Sequence, residues 1–347
     1  MDRNWRQALS ERGARIEDGR VTGFARAQRD AELDASACAL TALLSQGLIA
    51  AAGEDAQDFL QGQLSNDIGS VSRTRAQLAA YCTPKGRVLA TLIVWGTEDG
   101  YALALPRELA DPIRKRLQMY VLRSKVRLSD ASDQSALLGV LGADAPRVVR
   151  NELGLTLSAD YDVARGEGVT AIGLPGARIQ LVVEAACADR IWDQLARVCD
   201  AVGEELWDAH GVATGIPVIT AATQEQFTPH MLNLDLVGGV SFEKGCYTGQ
   251  EIVARTQYLG HVKRRLARFS AAARPAPGSP VFADAAPVGL VVNAARSQDD
   301  EFELLAVTQA PRSGTLLRLA PGGPALRSLP LPYRVPDPAR RSDGDSD

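Results

Sequence analysis

The order of apolar segments is the feature of this sequence that most restricts its fold. Short β-prone runs alternate with segments in which apolar residues recur at helical spacing, and a similar order of strands and helix recurs later in the chain. Repeats of this kind indicate an α+β fold with two modules built on antiparallel sheets. The predicted elements are strands at 41–52, 88–95, 101–105, 125–128 and 179–183, and helices at 54–64, 107–122 and 188–202.

The character of the sequence changes after residue 265. A stretch rich in Ala, Pro and Gly at 271–280 is typical of a linker, and short β-prone runs follow it. Regular short strands separated by turns predict a small C-terminal β-barrel. We therefore predict a flexible segment at 1–37, two intertwined α+β modules at 38–265 with the second at roughly 75–135, a barrel at 266–335 and a disordered tail at 336–347.

Composition excludes several classes of protein. The chain has 347 residues, of which 46% are hydrophobic and 23% charged, as in globular proteins of two or three domains. A formal net charge of −4 argues against direct nucleic-acid binding. No apolar run is long enough to cross a bilayer and no secretory signal is visible, which predicts a cytoplasmic protein without a membrane partner.

The cysteines and histidines are scattered. None of the five cysteines forms a CxxC pair, which indicates reduced thiols, and the three histidines are far apart in sequence. We therefore expect no metal site held by this chain alone. The cysteines are Cys38, Cys82, Cys187, Cys199 and Cys246.

One stretch, residues 242–255, is denser in reactive side chains than any other. Thr248 and Glu251 have the spacing of a capping box, which predicts a helix beginning at Gly249. Cys246 then lies just before a helix N-terminus and two residues after Lys244, and both features favour a reactive thiolate. The alternative is that Cys246 is a small buried hydrophobic residue in a turn.

Basic and aromatic residues surround this stretch. The cations suit an anionic ligand such as a carboxylate-bearing tail, and Tyr247 and Tyr258 could stack on a flat heterocycle. Two alternatives are that residues 263–265 are a solvated basic run and that Tyr258 is an ordinary core aromatic. The cations are Lys244, Arg255, Lys263, Arg264 and Arg265.

The sequence KGCYTGQE, from Lys244 to Glu251, resembles the signature of the YgfZ family, folate-binding proteins related to the T-protein of the glycine cleavage system. Residues 59–67 are similar to the family's first motif, and the resemblance extends over roughly residues 35–320. It implies a T-protein-like arrangement of three domains around a central cavity that holds tetrahydrofolate or a one-carbon derivative.

The resemblance also implies a site. Cys246 and Lys244 would be its catalytic residues. Asn66 and Asp67 follow the predicted helix at 54–64, where they could hydrogen-bond a pterin edge or simply form a turn. The implied folate-binding residues are Asn66, Asp67, Tyr247, Gln250, Glu251, Arg255 and Tyr258.

The sequence departs from the related families at two places. T-proteins carry an acidic pair after a glycine-rich turn, where this chain has Ala90 and Thr91. Without those carboxylates a cationic intermediate is not stabilised, so aminomethyl transfer is disfavoured. A family glutamate that contacts folate is replaced here by Ala213.

The function implied by the resemblance is folate-dependent support of iron–sulfur cluster assembly or repair in client enzymes, including tRNA-modifying ones. The expected partners are folate and iron–sulfur client or assembly proteins. Two alternatives stay open at this point: a folate-dependent one-carbon (methyl or aminomethyl) transferase, and an interaction scaffold without a ligand.

Overall fold

The computed structural model describes residues 3–25, 38–259, 262–297, 301–309 and 316–336. The chain forms two compact units. The first consists of Met1–Gln61, Ile68–Leu78 and Leu92–Gly211, and the second of Gly62–Asp67, Ala79–Thr91 and Val212–Asp347. The three-domain boundaries expected from the sequence stay a prediction.

The described residues form the following helices and strands, given in chain order. They are α1 (Arg3–Glu11), β1 (Ala14–Glu17), β2 (Arg20–Phe24), β3 (Ala39–Ala42), β4 (Gln46–Ala52), α2 (Ala56–Gln61), β5 (Gln77–Cys82), β6 (Val88–Gly96), β7 (Gly100–Pro106), α3 (Arg107–Val121), β8 (Arg127–Asp130), β9 (Ser135–Leu141), α4 (Ala145–Leu153), β10 (Val163–Gly166), β11 (Val169–Leu174), β12 (Arg178–Glu184), α5 (Ala188–Leu195), β13 (Asp200–Ala201), α6 (Glu204–Ala213), α7 (Gln250–Leu259), β14 (Arg264–Ala271), β15 (Pro280–Ala283), β16 (Ala286–Arg296), β17 (Phe302–Gln309), β18 (Leu317–Arg318) and β19 (Arg327–Leu329).

The N-terminal residues are folded where the sequence predicted a flexible segment. α1 and the β1–β2 hairpin occupy residues 3–25, and Leu9 is fully buried. The rings of Trp5 and Phe24 lie 5.9 Å and 5.4 Å from that of Trp192. The prediction was wrong here because a few buried apolar residues hold a segment that is mostly polar. The rest of the predicted flexible segment, 26–37, lies outside the described residues.

The first unit contains a six-stranded sheet in the order β10-β11-β12-β9-β3-β13. All pairs are antiparallel except β13, which runs parallel to β3. α1, α4 and α5 contribute to one apolar core with strands of this sheet. A separate apolar cluster contains Trp207 of α6, whose ring lies where a side chain at Gly139 would stand.

A second sheet has the order β5-β6-β7-β4-β8. β3 and β4 therefore belong to different sheets, although the sequence predicted a single strand over 41–52. A turn in which Gln46 N–H donates to Leu43 O, at 3.2 Å, separates the two strands. The predicted α+β class with antiparallel sheets is confirmed.

The C-terminal part of the second unit is a six-stranded antiparallel sheet in the order β18-β15-β16-β17-β14-β19. Its core includes Phe269, Val281, Val291 and Leu304. The strand order leaves β18 and β19 at its two edges, so closure into a barrel stays a prediction. The predicted tail from 337 onward lies outside the described residues.

Two cysteines expected to be reduced form a disulfide, Cys38–Cys199, with Cα atoms 4.8 Å apart. The sequence could not show this pairing, because 161 residues separate the two cysteines and β13, which brings them together, is only two residues long. Among the described residues Cys82 is a buried thiol, Cys187 is half-buried and Cys246 is exposed.

No helix in the described ranges is long and apolar enough to cross a membrane. Within the same ranges, no three His, Cys, Asp or Glu side chains come together as a metal site would require.

Candidate functional site

Lys244, the first residue of the KGCYTGQE motif, is buried. Its ammonium donates hydrogen bonds to Leu64 O at 2.6 Å and Asn66 O at 3.0 Å. Burial lowers the pKa of Lys244 to about 8, and the negative charge of Asp67 opposes this change. The ammonium also lies 5.1 Å from the centre of the Tyr247 ring. Lys244 therefore ties the motif to residues 64–67.

Residues 64–67 are themselves held by hydrogen bonds. Ser65 Oγ donates to Gly239 O at 2.6 Å and accepts from the Ala80 amide at 2.8 Å. Asn66 Nδ2 donates to Gly238 O at 2.7 Å, and its Oδ1 accepts from the Asp67 amide at 2.9 Å. These contacts fit the turn predicted as one alternative for Asn66 and Asp67.

α7 begins at Gln250, one residue after the predicted start. The capping box of Thr248 and Glu251 is not among the hydrogen bonds of the described residues. Instead Gln250 Oε1 accepts from the Tyr247 amide at 3.3 Å, and the Thr248 amide donates to Gly62 O at 3.3 Å. The predicted helix is present, but the side-chain hydrogen bond at its start is made by Gln250 to the loop before it.

The two glycines of the motif have different surroundings. Gly249 has a φ of +86°, and a Cβ there would lie 2.4 Å from Thr83 O, so close backbone packing requires glycine. No atom lies within 4 Å of the corresponding position at Gly245. Only Gly245 therefore leaves open space beside Cys246.

Cys246 is exposed between two buried neighbours, Lys244 and Tyr247. The alternative of a buried structural cysteine is therefore wrong. The Tyr247 side chain is buried, which raises the pKa of its phenol, and its hydroxyl has no hydrogen-bond partner among the described residues. The motif thus has one exposed thiol between two buried side chains.

The exposed face of α7 carries Arg255 and Tyr258, which are three residues apart and hence adjacent on the helix. Tyr258 is 69% exposed, so it is not a core aromatic. One edge of its ring contacts Phe242, with 6.4 Å between the centroids. A guanidinium and an aromatic ring are therefore both exposed at adjacent positions of the helix surface. Glu251, in the first turn, is exposed and Gln250 half-buried.

The basic run at 263–265 divides into two kinds of residue. Lys263 and Arg264 are exposed, as the solvated alternative predicted. Arg265 instead donates to Asp235 Oδ1 at 2.6 Å and to His230 O at 3.0 Å. The charge of Arg265 is thus paired with Asp235 within the protein.

The two departures from the related families are visible in the structure. Ala90 and Thr91 are buried in β6, and Thr91 Oγ1 accepts from the Ile219 amide at 3.1 Å. Ala213 ends α6. These positions therefore supply no carboxylate.

Sequence reasoning missed the supporting residues Ser65 and Thr83. Their contacts are made to residues distant in sequence, and a serine or threonine in a polar turn gives no signal of them.

The fold is that of the glycine cleavage T-proteins. The structure matches the glycine cleavage system aminomethyltransferase T from Bartonella henselae with a TM-score of 0.76, over 93% of this chain and 94% of that one. At 14% sequence identity the match shows the fold alone. The comparison with family models gave no match.

Two relatives define the family more closely. The tRNA-modifying protein YgfZ of Enterobacter sp. (strain 638) is 35% identical over 230 residues, 65% of this chain and 70% of the relative. The tRNA-modifying protein YgfZ of Escherichia coli O127:H6 (strain E2348/69 / EPEC) is 30% identical over 292 residues, 82% of this chain and 89% of the relative. The chain therefore belongs to the YgfZ family, as the motif predicted.

Proposed function

We propose that this protein binds tetrahydrofolate and supports iron–sulfur cluster assembly or repair in client enzymes, including tRNA-modifying ones. Membership of the YgfZ family, the T-protein fold and relatives named as tRNA-modifying proteins support this proposal. The observation that carries it is the exposed thiol of Cys246 on the family motif.

Cys246 has the proposed role of a nucleophilic thiolate toward a one-carbon or sulfur-bearing species. Lys244 and Tyr247, which precede and follow it in the motif, are buried, so the backbone on both sides of Cys246 is anchored in the protein. Lys244 donates to backbone carbonyls, so we assign it a positioning role instead of the catalytic role predicted from the sequence.

Residues available in the second unit fit a reduced folate. Arg255 can pair with a carboxylate of the glutamyl tail, and the exposed ring of Tyr258 can stack on a flat ring. A one-carbon derivative of tetrahydrofolate, when bound, would supply the one-carbon unit, whereas tetrahydrofolate itself carries none. Gln250 and Asn66 already hydrogen-bond to backbone atoms, and we propose that they shape the site. Asp67 and Glu251 stay proposed contacts.

Folate binding is tested by calorimetric titration of tetrahydrofolate into the purified protein and into Arg255→Ala. We expect at least a fivefold weaker dissociation constant for the variant, because it lacks the guanidinium. Arg127→Ala, which removes an exposed arginine of the first unit, is the matched control and should bind normally. Absence of heat with the unaltered protein would support the scaffold alternative.

The role of Cys246 is tested in a bacterium that lacks its own YgfZ. We expect Cys246→Ser to lose the ability to restore the dependent tRNA modification, measured by mass spectrometry of nucleosides. Cys187→Ser, which alters another free thiol, should restore it. Full activity of Cys246→Ser would contradict the proposed role. Turnover of a methylated folate by the purified protein would support the transferase alternative.

A further inference from the structure

An apolar patch, called the α3 patch, lies at the C-terminal end of α3. It consists of Met119, Tyr120 and Leu122, which are 64%, 38% and 88% exposed. Eight large hydrophobic side chains are exposed among the described residues, and three of them lie within the four consecutive positions 119–122. Single exposed apolar residues are common, but a cluster of them indicates an interaction site.

The α3 patch borders an open hollow of about 730 Å³. The residues that line the hollow all belong to the first unit, whereas the residues assigned to folate belong to the second. It is large enough to accept an apolar side chain of another molecule. Its lining residues are Asp55, Tyr120, Val121, Leu122, Arg123 and Ser124.

The backbone at Leu122 supports a functional interpretation. Leu122 has φ 44° and ψ −102°, a conformation that costs energy for any residue with a bulky side chain. Folding stability alone favours a glycine or asparagine at such a position, and it does not favour an exposed leucine. Strained residues of this kind occur preferentially where a protein binds something.

The charges around the α3 patch are predominantly positive. Arg114 and Lys115 pair with Asp111, and Lys125 pairs with Glu54. Asp55 accepts from the Lys125 amide at 2.7 Å. Two further arginines, Arg116 and Arg123, form no ion pair within the described part of the chain.

We propose that the α3 patch docks an acidic segment of a partner protein. An apolar side chain of that segment enters the hollow, and its carboxylates pair with Arg123 and Arg116. Met, Tyr and Arg are the residue types enriched at the centres of protein interfaces. A second copy of this chain is a poorer occupant, because two positive patches would face each other.

The test is photo-crosslinking in the organism that makes this protein, with a benzophenone amino acid at position 122 of the full chain. The matched control carries it at Val198, which is 48% exposed elsewhere in the first unit. We expect an adduct with one protein from position 122 only, through a segment in which Asp or Glu flanks an apolar residue. That protein, once purified, should bind at least fivefold more weakly to Arg123→Glu, whose melting temperature should be unchanged.

Four outcomes would overturn the proposal. They are equal adducts from both positions, an adduct with RNA, an adduct with a second copy of this chain, and binding that is insensitive to Arg123→Glu. None of them bears on folate binding, so this proposal and the proposed function can fail independently.

Discussion

Lys244 is a charged residue in a buried place, and its stability contribution should depend on pH. Its pKa is about 8 in the folded protein, below its ordinary value of 10.5, so between these values the unfolded chain binds more protons. The free energy of unfolding should therefore rise with pH across this window, and the gain should be lost as pH falls through about 8.

Urea denaturation of the unaltered protein and of Lys244→Met at pH 7 and pH 10 measures this effect. The difference between the two proteins should grow by about 2 kcal/mol in favour of the unaltered protein at the higher pH. Because both proteins share all other titrating groups, an equal difference at the two pH values would contradict the prediction.

The positive φ of Leu122 should lower the free energy of unfolding of the protein. Leu122→Gly relieves a positive φ and should raise the free energy of unfolding by about 0.5 to 1 kcal/mol. Leu122→Ala is the control, because it shortens the side chain but keeps Cβ and so keeps the strain. Chemical denaturation of both variants measures the two effects, and stabilisation by alanine alone would contradict this explanation.

The KGCYTGQE motif located the candidate site, but not the direction of its side chains. Lys244 was expected to act on Cys246 or a ligand, yet it donates to Leu64 O, 180 residues away in sequence. Gly249 was expected to begin a helix, yet its backbone also packs against Thr83 O. Both outcomes depend on long-range contacts that no local pattern contains.

At the scale of elements, the start of α6 holds the N-terminal hairpin. Glu204 is buried and accepts hydrogen bonds from the Val21 amide at 2.9 Å, the Leu44 amide at 3.1 Å, and the Ser45 amide and hydroxyl. Glu204→Gln places an NH₂ group against these donors and should lower the free energy of unfolding by about 2 to 4 kcal/mol.

Hydrogen exchange should show where that change acts. Either the Val21 amide of β2 or the Ser45 amide should exchange faster in Glu204→Gln, because glutamine keeps only one of the two acceptor oxygens. Glu205→Gln removes the same charge from the same helical turn and is the control for the helix dipole. Equal effects of the two substitutions would contradict a specific role for Glu204.

Elements with strong periodicity were predictable from the sequence and short ones were not. α3 was predicted to within one residue of its C-terminal end, because its apolar face is regular and a turn follows it. The turn between β3 and β4 contains no glycine or proline within 43–45, so the sequence read as one strand. β13 has only two residues and no pattern of its own.

At the scale of the whole molecule, the Cys38–Cys199 disulfide closes a loop of 161 residues. Reduction should lower the free energy of unfolding by about 2 to 5 kcal/mol, because a long loop in the unfolded chain regains its freedom. Denaturant titrations with and without reductant measure this loss, and Cys38→Ser should be insensitive to reductant.

Thiol counting provides an independent check. Protein unfolded without reductant should show three reactive thiols, Cys82, Cys187 and Cys246. In the folded protein Cys246 should react first and Cys82 slowest, because burial raises the pKa of the Cys82 thiol to about 12. Five thiols in the unreduced protein would show that the disulfide is absent.

The family resemblance predicted the fold of the whole chain better than periodicity did. The C-terminal antiparallel sheet and the α+β class followed from the sequence, whereas the division into two units did not. The reason is that Gly62–Asp67 and Ala79–Thr91 join the second unit through contacts with residues beyond 211.

That interrupted composition of the second unit has a consequence for biosynthesis. Ala79–Thr91 is synthesised before the 120 residues that separate it from Val212, and the synthesis of those residues takes roughly 6 to 24 s at about 5 to 20 residues per second. The interval is longer still between the synthesis of Ser65 and that of its hydrogen-bond partner Gly239, and between Leu64 and its partner Lys244. The nascent chain must therefore hold Gly62–Asp67 and Ala79–Thr91 without their contacts to residues beyond 211 while most of its first unit is synthesised, and a ribosome that stops early leaves those contacts unmade.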